Sequence, residues 1–225
     1  MFLNRRIVMT AAFAALLSST AALPALAADA AALLADLAGK VLSLGPNGEQ
    51  PQPAADVSLT DEELAQVKAK HATAAIVMHY AGNDWSRAQI DGLKTQFEAM
   101  GIEVLGVTDA GFKPEKQVAD IETMLAKKPD IIVSIPTDPI ATAVAYKQAA
   151  AQGVKLVFMD NVPKGLEAGK DYVSVVSADN YGNGVASALL LAKALNGKGN
   201  VGVVYHAADF FVTKQRYDGF KKTIA

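Results

Sequence analysis

The sequence predicts an α/β protein built on a doubly wound parallel sheet. Three observations carry that expectation. From Thr73 onward, short β-favouring apolar runs alternate with stretches of helical period, at the spacing of successive βαβ units. The run Lys155-Leu156-Val157-Phe158-Met159 is apolar on both faces, as a strand covered by helices on both sides must be. The runs also stop abruptly at polar or turn-forming residues, so the polar ends collect along one edge of the sheet.

The elements follow in order. Residues 1–27 read as a secretory signal peptide. Arg5-Arg6 is its basic start, Ile7 to Leu17 is apolar except for Thr10, and Pro24 precedes the small-x-small site Ala25-Leu26-Ala27. The rival reading is an uncleaved membrane anchor, which Ser18, Ser19, Thr20 and Pro24 make a poor one. Residues 28–72 form an extension. Leu33, Leu34, Leu37, Val41 and Leu42 recur at helical spacing, and Gly45-Pro46-Asn47-Gly48 breaks the pattern. Thr60 with Glu63 makes a capping box for a short helix running to about Lys70, with Leu59 and Leu64 placed as its hydrophobic staple. The extension carries no recognisable chemistry, so its expected role is packing or docking.

In the main fold, Ala74–His79 is the first strand. Trp85–Met100 is a helix with Ile90, Leu93, Phe97 and Met100 on one face, ended by Gly101. Glu103–Thr108 is the second strand, and Pro114–Lys127 the second helix, stopped by Pro129. Asp130–Ile135 is the third strand. Asp138 as N-cap with Pro139 at N1 starts a third helix, which Gly153 ends. The run from Lys155 to Met159, with Asp160-Asn161 at its end, is the fourth strand and Tyr172–Val176 the fifth. Asn180–Leu195 reads as a helix, Asn200–Tyr205 as a strand and Lys214–Ile224 as a helix.

Composition excludes several classes of function. A formal charge of −2 over 225 residues offers no basic footprint for nucleic acid. The absence of cysteine removes disulfides, a thiolate nucleophile, cysteine-based zinc sites and a lipid-modified N-terminal cysteine. His71, His79 and His206 lack the spacing of a helical metal site, so no metal and no cofactor is expected. Export without a lipid anchor points to a free, monomeric protein in a bacterial periplasm, with a formal charge of −4 once the two signal-peptide arginines are gone.

The first four strand ends carry His79-Tyr80 with Asn83-Asp84, Thr108-Asp109, Thr137-Asp138 and Asp160-Asn161, with Trp85 close by. Carboxylate, carboxamide, hydroxyl and imidazole groups around an aromatic ring suit a neutral polyhydroxylated ligand. It needs donors and acceptors around its rim and an apolar surface for its C–H faces. Each residue also has a plainer reading. Asp160 would cap a turn, Asn83 would cap the helix at Trp85, Arg216 would make a surface pair, and Thr137-Asp138 would simply start a helix.

From about Thr73 to Ala225 the chain resembles the type I periplasmic binding proteins of the ribose-binding kind, the soluble receptors of ABC sugar importers. The resemblance lies in Ala74–Gly92 with Asn83 and Asp91-Gly92, in Asp130-Ile131-Ile132-Val133 leading to Pro136-Thr137-Asp138, and in the strand ending at Asp160. It continues through Val176-Ser177-Ala178-Asp179-Asn180 and Arg216-Tyr217-Asp218-Gly219-Phe220. It implies a two-lobed fold, with lobe 1 at 73–178 and lobe 2 starting at 179 and incomplete in this chain, which then reads as a fragment or truncated form. It implies that Asn83 and Asp160 hydrogen-bond a sugar, that Trp85 stacks on it, that Arg216 reaches it from lobe 2, and that Ser177-Ala178-Asp179 is the first crossover between lobes. It further implies hinge closure and recognition of the closed form by an inner-membrane permease. Four positions depart from the family's pattern. Asn161 replaces an arginine, Ser86 a second aromatic, Ile135 a polar residue and His79 a small hydroxyl residue. The ligand-contacting set expected is therefore Asp160, Asn83, Trp85, Arg216, His79 and Asn161, in a pocket that should differ from a ribose pocket, so ribose is not assigned. His206 and Asp209 are weaker candidates on the rim of lobe 2.

Rival functions have less support. Gly182-Asn183-Gly184-Val185-Ala186-Ser187 approaches a dinucleotide fingerprint, but it begins too far beyond Val176 for the tight turn that motif requires. No G-x-S-x-G elbow of a serine hydrolase is present. A receptor of the same fold used for sensing or chemotaxis is not separable from a transport receptor by sequence. A DNA-binding repressor would carry a helix-turn-helix where this chain has a signal peptide.

Overall fold

The structure, a computed structural model, describes residues 23–206 and 210–225. Most of the expected signal peptide and Asp209 therefore lie outside the described residues. Five strands form one all-parallel sheet: β1 (Thr73–Met78), β2 (Glu103–Asp109), β3 (Ile131–Ser134), β4 (Lys155–Met159) and β5 (Ser174–Val176). Their order is β2-β1-β3-β4-β5. The winding reverses between β1 and β3, and in open parallel sheets that reversal opens the crevice where ligands bind.

Alternation along the strands divides the core in two. Ala75, Val77, Ile132, Leu156 and Phe158 face one side, where Ile121 and Met124 of helix α4 (Pro114–Ala126) and Ala145, Tyr146 and Ala149 of helix α5 (Ala143–Ala151) cover them. Ala74, Ile76, Met78, Val133 and Met159 face the other side, against Ile90 and Phe97 of helix α3 (Asp84–Ala99). Ala74 to Met78 are fully buried, which explains why β1 carries no polar residue between Thr73 and His79. Gly101 takes φ 68° beyond α3, and Ile102 N–H returns to the Phe97 carbonyl at 2.8 Å.

The extension contains helix α1 (Leu23–Leu37) and helix α2 (Asp61–Ala69). The expected capping box closes α2. Thr60 N–H donates to Glu63 Oε2 at 2.9 Å, and Glu63 N–H donates to Thr60 Oγ1 at 3.2 Å. After β5 the chain builds helices α6 (Asn180–Ala194) and α7 (Phe211–Ile224), which pack on each other, while α1 packs against α6. At the α6–α7 crossing a Cβ on Gly184 would strike the Arg216 carbonyl, and one on Gly219 would strike the Tyr181 carbonyl. The glycines of the near-fingerprint thus serve, through Gly184, a close helix contact rather than a phosphate.

Two expectations about elements need correction. Residues 200–205 form no strand. A strand needs neighbouring N–H and C=O groups, and among the described residues no partner strand lies beside this segment; Val204 is fully exposed. The third helix does not begin at Pro139. Asp138 does cap, accepting from the N–H groups of Ile140 (2.8 Å) and Ala141 (2.7 Å), but irregular turns fill 139–142 and α5 starts at Ala143.

Candidate functional site

The carboxyl edge of the sheet holds five of the six expected ligand-contacting residues. β1 runs into His79, and the following turn delivers Asn83 to the start of α3. Asn83 Oδ1 accepts from Ser86 N–H at 2.8 Å, so its oxygen caps the helix. The side chain is exposed and its amide nitrogen remains a donor at the edge. Trp85 follows in the first helical turn and is 49% exposed. A large apolar ring held open on an ordered helix is a ready surface for a C–H face.

His79 is half-buried, and its Nδ1 is enclosed without a hydrogen-bond partner among the described residues. Burial lowers its pKa below the ordinary imidazole value, against the opposing pull of Asp160 and then Asp109. The ring meets Trp85 edge-to-face at 6.4 Å between centroids and Phe112 edge-to-face at 5.0 Å. Phe112 in turn stacks on Tyr80 at 4.8 Å, 16° from parallel. Phe112 was not singled out in the sequence. Its only signal is its place in Asp109-Ala110-Gly111-Phe112, just after a strand.

Beyond β4, Asp160 has φ 62°, a left-handed conformation that aspartate tolerates better than most residues and that ends the strand at Met159. Its N–H still bonds to the Val176 carbonyl at 2.9 Å, which fixes the backbone under the carboxylate. Asn161 is 7% exposed, and its Oδ1 is buried without a partner among the described residues. A buried carboxamide oxygen in that state is a standing demand for a donor.

Asp160 is also the end of a relay. Ser177 Oγ donates to Asp160 Oδ1 at 2.7 Å, Asn180 Nδ2 donates to Ser177 Oγ at 2.8 Å, and Arg216 Nε donates to Asn180 Oδ1 at 2.7 Å. Arg216 lies on α7, so the structure joins it to Asp160 through two intermediaries rather than placing it on the same edge. Ser177 and Asn180 were not among the expected site residues. Their signal was their position at the crossover between the sheet and α6.

The β3 end is already occupied by protein. Gln117, fully buried on α4, donates to the Ile135 carbonyl at 2.8 Å and accepts from Thr137 N–H at 2.7 Å and Thr137 Oγ1 at 2.9 Å. Thr137 and Asp138 thus shape the turn. His206 is exposed and rests against Phe210, ring centroids 5.1 Å apart.

The extension reaches the crossover as well. Asp179 caps α6 by accepting from Gly182 N–H at 2.9 Å, and it also accepts from Leu42 N–H (2.9 Å), Ser43 N–H (2.9 Å) and Ser43 Oγ (2.8 Å). Ser43 Oγ accepts in turn from Tyr181 N–H at 2.9 Å, and Gln215 Nε2 donates to the Leu44 carbonyl at 2.9 Å. Burial pushes the Asp179 carboxyl up, but the Leu42, Gly182 and Ser43 donors outweigh it and hold the group below its usual range. A hollow bounded by Ala150, Gly153, Lys155 and Tyr172 lies at the amino end of β4, away from all of these groups. Among the described residues no cluster of three or more His, Asp or Glu is placed to hold a metal, and no helix is long and apolar enough to cross a membrane.

Comparison with known proteins adds the family. Residues 74–225 match the model of the periplasmic binding protein domain. The chain is 25% identical over 170 residues to a ribose import binding protein of Salmonella typhimurium, covering 75% of this chain and 55% of that one. An ABC transporter periplasmic solute binding protein from Actinobacillus succinogenes, solved with D-allose, superimposes with a TM-score of 0.59 at 26% identity, over 68% of this chain and 55% of that one. One from Agrobacterium vitis, solved with allitol, gives 0.60 at 25% identity, over 68% and 50%. The chain thus spans about half the length of the relatives it matches.

Proposed function

Because this chain belongs to the periplasmic binding protein domain family, we propose that it is the substrate-binding component of an ABC sugar importer, acting as a monomer in the periplasm after removal of residues 1–27. It binds a neutral sugar or polyol and is not an enzyme. The observation that carries the ligand class is the carboxyl edge itself. There the Asp160 carboxylate, the Asn83 amide, the Asn161 Oδ1 that has no partner among the described residues and the exposed Trp85 ring offer acceptors, a donor and an apolar face. That set fits hydroxyl groups on a C–H scaffold. The ligands bound in two similar structures, D-allose and allitol, belong to the same class.

The mechanism follows from the crossover. A ligand that touches both lobes stabilises the closed form by its differential contacts, and the permease then reads closure. The Arg216–Asn180–Ser177–Asp160 relay ties the second-lobe helices to the carboxylate that meets the ligand. Asp160 accepts hydroxyl donors, Asn83 donates, and Trp85 stacks.

The test is a thermal-shift and calorimetry screen of the mature full-length protein against pentoses, hexoses and polyols, with amino acids and nucleosides as controls. A carbohydrate is expected to bind, and Asp160→Ala to weaken it by about 2 kcal/mol, a loss of some tens of fold. Binding of an amino acid or nucleoside alone would overturn the ligand class.

A further inference from the structure

The loop that follows β2 is built around Phe112, and the sugar-binding reading gives that residue no role. Three hydrogen bonds fasten the loop to the end of β1 and to itself. Ala110 N–H donates to the Met78 carbonyl at 3.0 Å, Phe112 N–H to the His79 carbonyl at 2.8 Å, and Gly111 N–H to Asp109 Oδ1 at 2.8 Å. In this frame Gly111 takes φ 57° and Phe112 takes φ 60°. The left-handed region suits glycine, but for a bulky side chain it is an outlier that the surrounding structure must enforce. The enforced conformation does not bury the ring, because Phe112 is 52% exposed. A strained backbone that holds a large apolar ring in solvent is not explained by core packing.

The neighbours of the ring show what it faces. Phe112 stands edge-to-face with His79 and stacks on Tyr80, and His79 stands edge-to-face with Trp85. Four aromatic rings, counting the imidazole, thus make one continuous cluster along the ends of β1 and β2. Its two most open members, Trp85 and Phe112, lie on either side of His79 in the contact chain. Within the cluster, His79 Nδ1 has no hydrogen-bond partner among the described residues. Position 86, the next residue on α3, is a buried serine and offers no ring.

We propose that Phe112 is a second stacking wall for the ligand, supplied from the β2–α4 loop, and that it sets the preference for a ligand with C–H surface at two places on a ring, a cyclic sugar or cyclitol. The inference rests on the sugar-binding reading and deepens it. Tyr80 supports Phe112 from behind by stacking, and the αL backbone fixes the ring's height above the sheet edge. The wall is therefore preformed, and stacking on it costs little ordering of the side chain.

The experiment uses the mature full-length protein and the carbohydrate found in the screen, with calorimetry and intrinsic fluorescence as readouts. Trp85, the tryptophan of this chain, lies in the cluster, so intrinsic fluorescence carries a reporter at the site. Phe112→Ala and Phe112→Leu are expected to weaken binding at least tenfold, whereas Phe112→Tyr, which keeps the ring, stays within about threefold of wild type. Circular dichroism and melting temperature establish that each variant is folded. If wild type binds and a folded Phe112→Leu binds equally well, the second wall is wrong and the sugar-binding reading stands. If wild type gives neither heat nor a Trp85 response with any carbohydrate, the sugar-binding reading falls and this inference falls with it.

Discussion

Burial holds the His79 imidazole below its ordinary pKa, although Asp160 and Asp109 both pull the other way. The sign of the consequence is fixed. A base whose folded pKa is depressed binds fewer protons folded than unfolded, so stability is full above the unfolded value of about 6.5 and falls as pH drops through it toward the folded value. Melting temperatures between about pH 8 and pH 5 should therefore decline for wild type, and His79→Gln should flatten that part of the profile. An unchanged slope in the variant would place the acid sensitivity elsewhere. His79 could be picked out in the sequence as an unusual residue at a strand end. Its enclosure could not, because that depends on Phe112 arriving from a different strand. Asp160 was legible for the opposite reason: its context, an apolar run that stops, is local. Arg216 was legible as a motif residue but not as a partner of Asn180, since the contact joins two helices 36 positions apart.

At the scale of elements, local signals decided most of the fold. The Thr60–Glu63 box, Gly101 after α3 and the both-face apolar strands each appear where residue chemistry puts them. Residues 200–205 misled because β-propensity is a statement about fitting a sheet, and no sheet neighbour is present among the described residues. The extension packs, as its blandness suggested, but where it packs was not legible. Nothing in Leu42-Ser43-Leu44 announces a strap, because two of its bonds to Asp179 come from backbone N–H groups that every residue here has. Asp179→Asn keeps the size and the cap but removes the charge that those donors share. It should cost about 1–2 kcal/mol in denaturant unfolding. With its folded pKa depressed, Asp179 adds stability above its ordinary carboxylate range, and that contribution is lost as pH falls through it. Wild type and the Asp179→Asn variant should thus converge in acid. A difference that persists at low pH would mean that the strap acts through packing alone.

For the whole molecule, the sheet and the α1–α6–α7 group meet through the crossover at 176–180 and the strap at 42–47. Two connections constrain a hinge more than one. On the proposed function, these two links among the described residues favour rotation about the line joining them over twisting across it. Small-angle scattering of the full-length protein with saturating ligand should give a smaller radius of gyration than without. An unchanged radius with calorimetrically confirmed binding would count against closure. Ser43→Ala should leave the closed radius unaltered while broadening the spread of open forms.

The donors from Arg216 to Asp160 all point in one direction, from a guanidinium through an amide and a hydroxyl to a carboxylate. Such a chain is polarised along its length. One carboxylate oxygen is already spoken for, and the other can only receive. On the proposed function, whatever meets the free oxygen of Asp160 must bring a donor, which for a sugar is a hydroxyl. A ligand deoxygenated or O-methylated at the carbon that meets Asp160 should therefore bind more weakly than the parent sugar, which calorimetry would read.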